Sequence, residues 1–221
     1  MDNKFNLTRE QNIFLAKRNI VDYIWRSANL EGIALTYPET QTIFDGVNVG
    51  KYSIDELTAI NNLKHTWRFI LEDVDIPTTY SYIYHINELI GINLFYNAGK
   101  IRTTPVSIGG TKWQPNLPIE SKIKEELDDV LKINNPTEKA INMMLWLMRG
   151  QLFIDGNKRT AMMVANKIMI ENGCGIITIP VEIQTDFYKL LIEFYETNNN
   201  EKVLKFIYDN CIDGIIFTEE N

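Results

Sequence analysis

Helix starts punctuate this chain, and few strand patterns compete with them. Thr8 followed by Gln11, and Ser53 followed by Glu56, have the spacing of a capping box, in which two side chains satisfy orphan amides at a helix N-terminus. Asn135-Pro136-Thr137-Glu138 reads as N-cap, N1 proline and N3 glutamate. Apolar residues follow each start at helical spacing. Ile13, Ile20 and Ile24 lead up to Leu30, with Gly32 as the stop. Leu57, Ile60, Leu63, Trp67 and Ile70 share one face, and Ile83, Ile86, Ile90 and Leu94 repeat the pattern after Pro77. The run Ile141–Met148 is nearly all apolar, which predicts a helix buried on most sides. Phe187–Tyr195 and Val203–Cys211 read as two final helices. The class is all-α.

Three stretches break the pattern. Thr36–Lys51 is rich in Thr, Gly, Asp and Asn and reads as an irregular connection or a small hairpin. In Ile101–Pro118, short β-type residues meet Gly109-Gly110, which predicts a β-hairpin. Ile176–Ile183 reads as a short strand or an extended loop.

Charge and cysteine content narrow the function. The formal charge is −7, so a phosphate backbone is repelled and nucleic acid is not an expected partner. Two cysteines, Cys174 and Cys211, are too few for a disulfide scaffold and read as buried thiols. No apolar run approaches the roughly 20 residues of a membrane span, and Met1–Asn6 lacks the apolar core of a signal peptide. The expectation is one soluble cytoplasmic domain across residues 1–221, without a membrane partner. Asp45–Glu56 has the length of a calcium loop, but Val47 and Val49 cannot ligate the ion.

The chemistry concentrates in Gln151-Leu152-Phe153-Ile154-Asp155-Gly156-Asn157-Lys158-Arg159. This loop joins Ile141–Met148 to a helix that ends near Gly173. A Gly-Asn turn before a helix leaves N–H groups and a dipole that attract anions. Lys158 and Arg159 add a point charge and a bidentate donor. Asp155 can hold Mg²⁺ against phosphate oxygens, because that ion takes one or two carboxylates plus substrate oxygens. The other reading is a plain turn followed by a solvated Lys-Arg face.

The stretch resembles the signature loop of Fic-domain proteins, H-x-F-x-[D/E]-G-N-[G/K]-R-x-x-R. Arg102–Pro115 looks like the family's flap, and Ser27-Ala28-Asn29-Leu30-Glu31-Gly32 fits its inhibitory pattern, [S/T]-x-x-x-E-[G/N]. The resemblance implies a Fic-type helical fold with a small hairpin flap, residues 1–50 as inhibitory helix and connection, and 151–162 as the loop. Typical members move AMP from ATP onto a protein hydroxyl. It implies ATP or another nucleoside triphosphate with Mg²⁺, the ion held by Asp155. Gly156, Asn157, Lys158 and Arg159 would bind the phosphates, and Phe153 would anchor the loop. A target protein would dock on Val106, Ser107, Ile108 and Gly109, where the alternative is an ordinary surface hairpin. Ser27, Glu31 and Gly32 would be regulatory, where the alternative is a solvated helix end.

The departures shape the function. The family's basic histidine falls at Gln151, a neutral amide, and the only histidines, His65 and His85, lie far away in sequence. Leu152 replaces a frequent proline. Lys158 stands where AMP-transferring members carry glycine, as in the Doc-type branch, whose members can transfer phosphate. Met162 replaces the second arginine, leaving Glu31 to reach Lys158 or Arg159. Three functions follow. The first is a nucleotide-binding protein with weak or no AMP transfer. The second is an active phosphate or AMP transferase with a substituted base. The third is a non-catalytic interaction module.

Overall fold

The computed structural model describes residues 1–216. Nine α-helices are present among them: α1 (Arg9–Leu30), α2 (Tyr37–Phe44), α3 (Ile54–Glu72), α4 (Tyr80–Gly91), α5 (Glu120–Leu131), α6 (Pro136–Gly150), α7 (Asn157–Glu171), α8 (Gln184–Thr197) and α9 (Glu201–Asn210). Two short strands, β1 (Ile176–Ile177) and β2 (Ile212–Asp213), pair antiparallel with Ile176 opposite Asp213. The all-α expectation holds. The capping boxes of α1 and α3 form as the spacing requires, and Asn135 caps α6 by accepting the amide of Glu138 at 2.8 Å.

Helix α7 is the axis of the core. It packs on α1, α3, α4, α6 and β1, and residues from Asn157 to Ile170 are buried with the exception of Lys158. A helix surrounded in this way needs polar ties to fix its neighbours, and buried asparagines supply them. Asn166 bonds both backbone groups of Ile177, at 2.7 and 2.8 Å. Asn12 does the same for Gly175, at 2.7 and 3.1 Å, tying α1 to the far end of α7. At Gly173, φ is +67° and a Cβ would stand 1.9 Å from the Leu7 carbonyl oxygen, so only glycine permits this crossing.

Two expectations are corrected. Thr36–Lys51 is neither hairpin nor wholly irregular, because it holds α2, opened by a third capping box between Thr36 and Glu39. Its polar residues cap the helix: Glu39 accepts from the Thr36 amide and the Tyr52 hydroxyl and pairs with Lys51. The flap segment, residues 101–118, keeps its turn at Gly109-Gly110 but forms no strand ladder, so it is an extended loop rather than a paired hairpin. Proline at 105, 115 and 118 removes ladder donors from both legs.

Candidate functional site

The site grows from the end of α6. Gln151 is its C-cap, with left-handed φ 45° and ψ 57°. The Gln151 side-chain Nε2 donates to the Met148 carbonyl at 2.6 Å, satisfying one of the orphan acceptors at the helix end. Phe153 then buries its ring edge-on against Tyr84. The return of the chain into α7 is fixed by Asn157, which accepts from the Phe153 amide at 3.0 Å and donates to its carbonyl at 2.9 Å. From outside, Asn87 on α4 donates to the Asp155 carbonyl at 3.0 Å and to the Thr160 hydroxyl at 3.1 Å. Gly156 adopts φ +74°, and a Cβ there would meet Ile90, Asn87 and Phe95 at 3.1–3.2 Å. The loop is therefore held rigid before any ligand arrives. Asn157→Ala strands both Phe153 backbone groups, and an expected loss of about 2–4 kcal/mol would be read by urea unfolding.

This loop faces a cavity of about 390 Å³. Gln151, Asp155, Asn157 and Lys158 line one side, and the flap residues Val106, Ser107, Ile108 and Gly109 line another. Glu31, at the C-terminus of α1, closes one end. The remaining wall is a face of α8, namely Tyr188, Leu191, Ile192 and Tyr195. Helix α7 opens here, and among the described residues no side chain caps its first amides. The sequence-derived residues thus converge, with the following differences. Gly156 points to the interior beneath the loop, Arg159 is buried behind Glu31 rather than lining the cavity, and Ser27 and Gly32 shape the turn around Glu31 without lining it. Met162 is buried in the apolar core. His65 and His85 lie on exposed positions of α3 and α4, outside the cavity.

Charge at the cavity floor is internally compensated. Glu31 sits 3.5 Å from Lys158 Nζ and 3.4 Å from Arg159 Nε. Burial works to lower the Lys158 ammonium, but the Glu31 carboxylate outweighs it and holds its pKa above the ordinary lysine value. Asp155 is the exposed carboxylate of the loop; it accepts the Gly156 amide at 2.5 Å and lies 3.5 Å from Arg159.

From sequence, the α8 wall is only part of a helix. Its signal was present, since 188, 191, 192 and 195 have the spacing of a single helical face. Tyr188 does double duty, donating its hydroxyl to the Leu30 carbonyl beside Glu31 while its ring lies 5.6 Å from Lys158 Nζ.

The helical order, the loop and the flap can be set against known proteins. Residues 77–169 match the Fic/DOC family. That stretch is the Fic/DOC-like part of the chain. That match contains the flap and the whole signature loop, while Glu31 and α8 lie outside it. Protein adenylyltransferase fic-1 of Caenorhabditis briggsae is 26% identical over 185 residues, which is 76% of this chain and 35% of the relative. Its Caenorhabditis elegans counterpart is likewise 26% identical, over 183 residues. The chain thus spans about a third of the curated relatives it matches. Among solved structures, C. elegans Fic-1 (residues 134–508) superposes with a TM-score of 0.75 at 23% identity, over 89% of this chain and 62% of that one. A Fic-domain signaling protein from Bacteroides thetaiotaomicron gives 0.74 at 20% identity, over 91% and 84%. These likenesses show the Fic fold. Among the described residues, no helix is long and apolar enough to cross a membrane.

Proposed function

We propose that this Fic-domain chain binds a nucleoside triphosphate, ATP or a close analogue, in the cavity beneath the flap and transfers AMP weakly or not at all. The observation that carries the reading is Gln151. At the position of the family's histidine stands an amide that cannot accept a proton near pH 7, and its donor is committed to capping α6. Loss of a general base removes a contribution of about 10²–10⁴-fold in rate.

The residues fit phosphate and metal. The first turn of α7 has no side-chain cap, and Lys158 and Arg159 stand beside it. Such a helix start stabilises anions through its amides and dipole. Arg159 Nε and Glu31 Oε1 are buried and make no hydrogen bond among the described residues, so the internal ion pair leaves polar capacity unused. Asp155 is exposed and lines the cavity. With triphosphate present, Asp155 and the phosphate oxygens would hold Mg²⁺, which neutralises charge on the phosphates. Tyr188, Leu191, Ile192 and Tyr195 offer an apolar wall suited to a planar base.

Calorimetry with ATP and Mg²⁺ tests the reading. Binding by the unaltered chain is expected, weakened by about tenfold or more in Asp155→Ala, which removes the carboxylate that would hold Mg²⁺, and in Arg159→Ala, which removes a cation facing the phosphates. No heat at millimolar nucleotide would overturn it.

A further inference from the structure

The flap has no ladder, yet its legs are held together, and one side chain does it. Arg102 is 4% exposed and makes no ion pair among the described residues. Burial without a counter-charge pushes its guanidinium below the ordinary arginine pKa. All its side-chain acceptors are main-chain carbonyls. Nη1 donates to Thr104 on the outgoing leg at 2.9 Å, and Nη2 donates to Asn116 on the returning leg at 2.6 Å, with Pro115 at 3.4 Å. Nε donates to the Gln151 carbonyl at 2.6 Å, while the Arg102 amide donates to Leu152 at 3.0 Å. A single planar fork therefore joins three separate strands of chain: both flap legs and the loop that faces the cavity.

A second anchor lies at the far end. Thr111 donates to Glu196 at 2.7 Å, and Trp113 stacks on Tyr195 with ring centroids 5.7 Å apart, under the Arg149 guanidinium. Between the two anchors, Val106–Gly109 line the cavity and make no backbone hydrogen bond among the described residues. The flap is thus a bridge pinned at its base and beyond its turn. Only the base pin touches the loop.

We propose that Arg102 is the positioning residue of the flap: its guanidinium stands in for the missing strand ladder and sets the separation between Val106–Gly109 and the Gln151–Asp155 loop. The fork geometry matters. Lysine offers a point charge that can reach one leg but lacks the rigid spacing to hold both legs and Gln151 at once. Charge alone does not reproduce the clamp.

Spin labels at Ser107→Cys and Lys205→Cys, on the flap and on α9, read this directly by distance distribution. The native thiols do not compete, because Cys174 and Cys211 are buried and burial pushes the Cys211 thiol up to about 12. A control pair at Asp128→Cys and Lys205→Cys joins α5 and α9. Arg102→Gln is expected to broaden the flap distribution by about twofold or more and to leave the control pair unchanged, as local opening does. Arg102→Lys is expected to fall between the two. Equal broadening of both pairs, or an unbroadened flap pair in Arg102→Gln, overturns the proposal. Should Arg102→Gln not fold, Arg102→Lys decides by the same criterion. A parallel ATP titration is expected to weaken by about tenfold in Arg102→Gln, the loss of roughly one hydrogen-bonded constraint. That arm rests on the nucleotide reading, whereas the label distances do not. A silent titration of the unaltered chain sinks the nucleotide alone and leaves the flap result standing.

Discussion

Gln151→His is expected to raise AMP transfer by about 10²–10⁴-fold over the unaltered chain, the contribution of a well-placed general base. The position accepts the change. Gln151 sits at φ 45° and ψ 57°, a left-handed conformation in which histidine is several-fold enriched among non-glycine residues. Its backbone is held from both sides, by Leu147 on its amide and Arg102 on its carbonyl, so the new ring starts from the same Cα. What is lost is the amide bond to Met148, a cost of about 1 kcal/mol. The ring would face the cavity across from the flap, where an incoming hydroxyl can be met. The measurement is incorporation of label from α-labelled ATP into protein, made with Glu31→Gly as well so that the carboxylate does not compete for Lys158 and Arg159. No gain in the double variant, with ATP still bound by calorimetry, would mean that Lys158 or Met162 has broken the transfer geometry independently of the base. Label from γ-labelled ATP instead would favour phosphate transfer.

The sequence disclosed this site unevenly, and the reasons are physical. Capping boxes are local, with both partners within four residues, so Thr8, Ser53 and Asn135 were legible as helix starts. Thr36 with Glu39 has the same spacing, but α2 is only two turns long and lies in a stretch rich in Thr, Gly, Asp and Asn, so composition masked the cap. The α8 wall was visible as a helical face but not as a cavity wall. Nothing in the spacing of Tyr188, Leu191, Ile192 and Tyr195 says whether a face meets core or an open space. Arg102 was legible only as a charge. Its acceptors are carbonyls of residues 104, 115, 116 and 151, and a carbonyl has no sequence signature. The missing ladder in the flap follows from the same blindness, because a turn at Gly109-Gly110 predicts reversal of the chain but not that its legs pair.

The Glu31 contact is where sequence and structure together make the second large prediction. With Met162 buried in the core, no second arginine is available, and the carboxylate instead spans Lys158 and Arg159. The helix end that carries it is anchored: Tyr188 and Gln184 on α8 donate to the carbonyls of Leu30 and Arg26. The carboxylate itself is loosely held. Its separations of 3.4 and 3.5 Å exceed the roughly 2.7–2.9 Å of a charge-assisted hydrogen bond, and Oε1 makes no hydrogen bond among the described residues. A phosphate that reaches Lys158 and Arg159 must displace this carboxylate or share the cations with it. Glu31→Gln removes the competitor, and ATP–Mg²⁺ affinity is expected to rise by about 10–100-fold, equivalent to about 1.4–2.8 kcal/mol. Affinity for AMP, which has no distal phosphate, is expected to change much less, so titrations of ATP, ADP and AMP separate competition from a general opening of the cavity. Stability moves the other way. The substitution leaves Lys158 without its carboxylate and the buried Arg159 with Asp155 alone, so the nucleotide-free variant is expected to melt lower than the parent. ATP is expected to restore more of that loss than it adds to the parent, since binding to the folded state stabilises in proportion to affinity. If Glu31→Gln changes neither the nucleotide titrations nor the melting temperature, Glu31 is no competitor, and the cavity floor takes phosphate regardless of it.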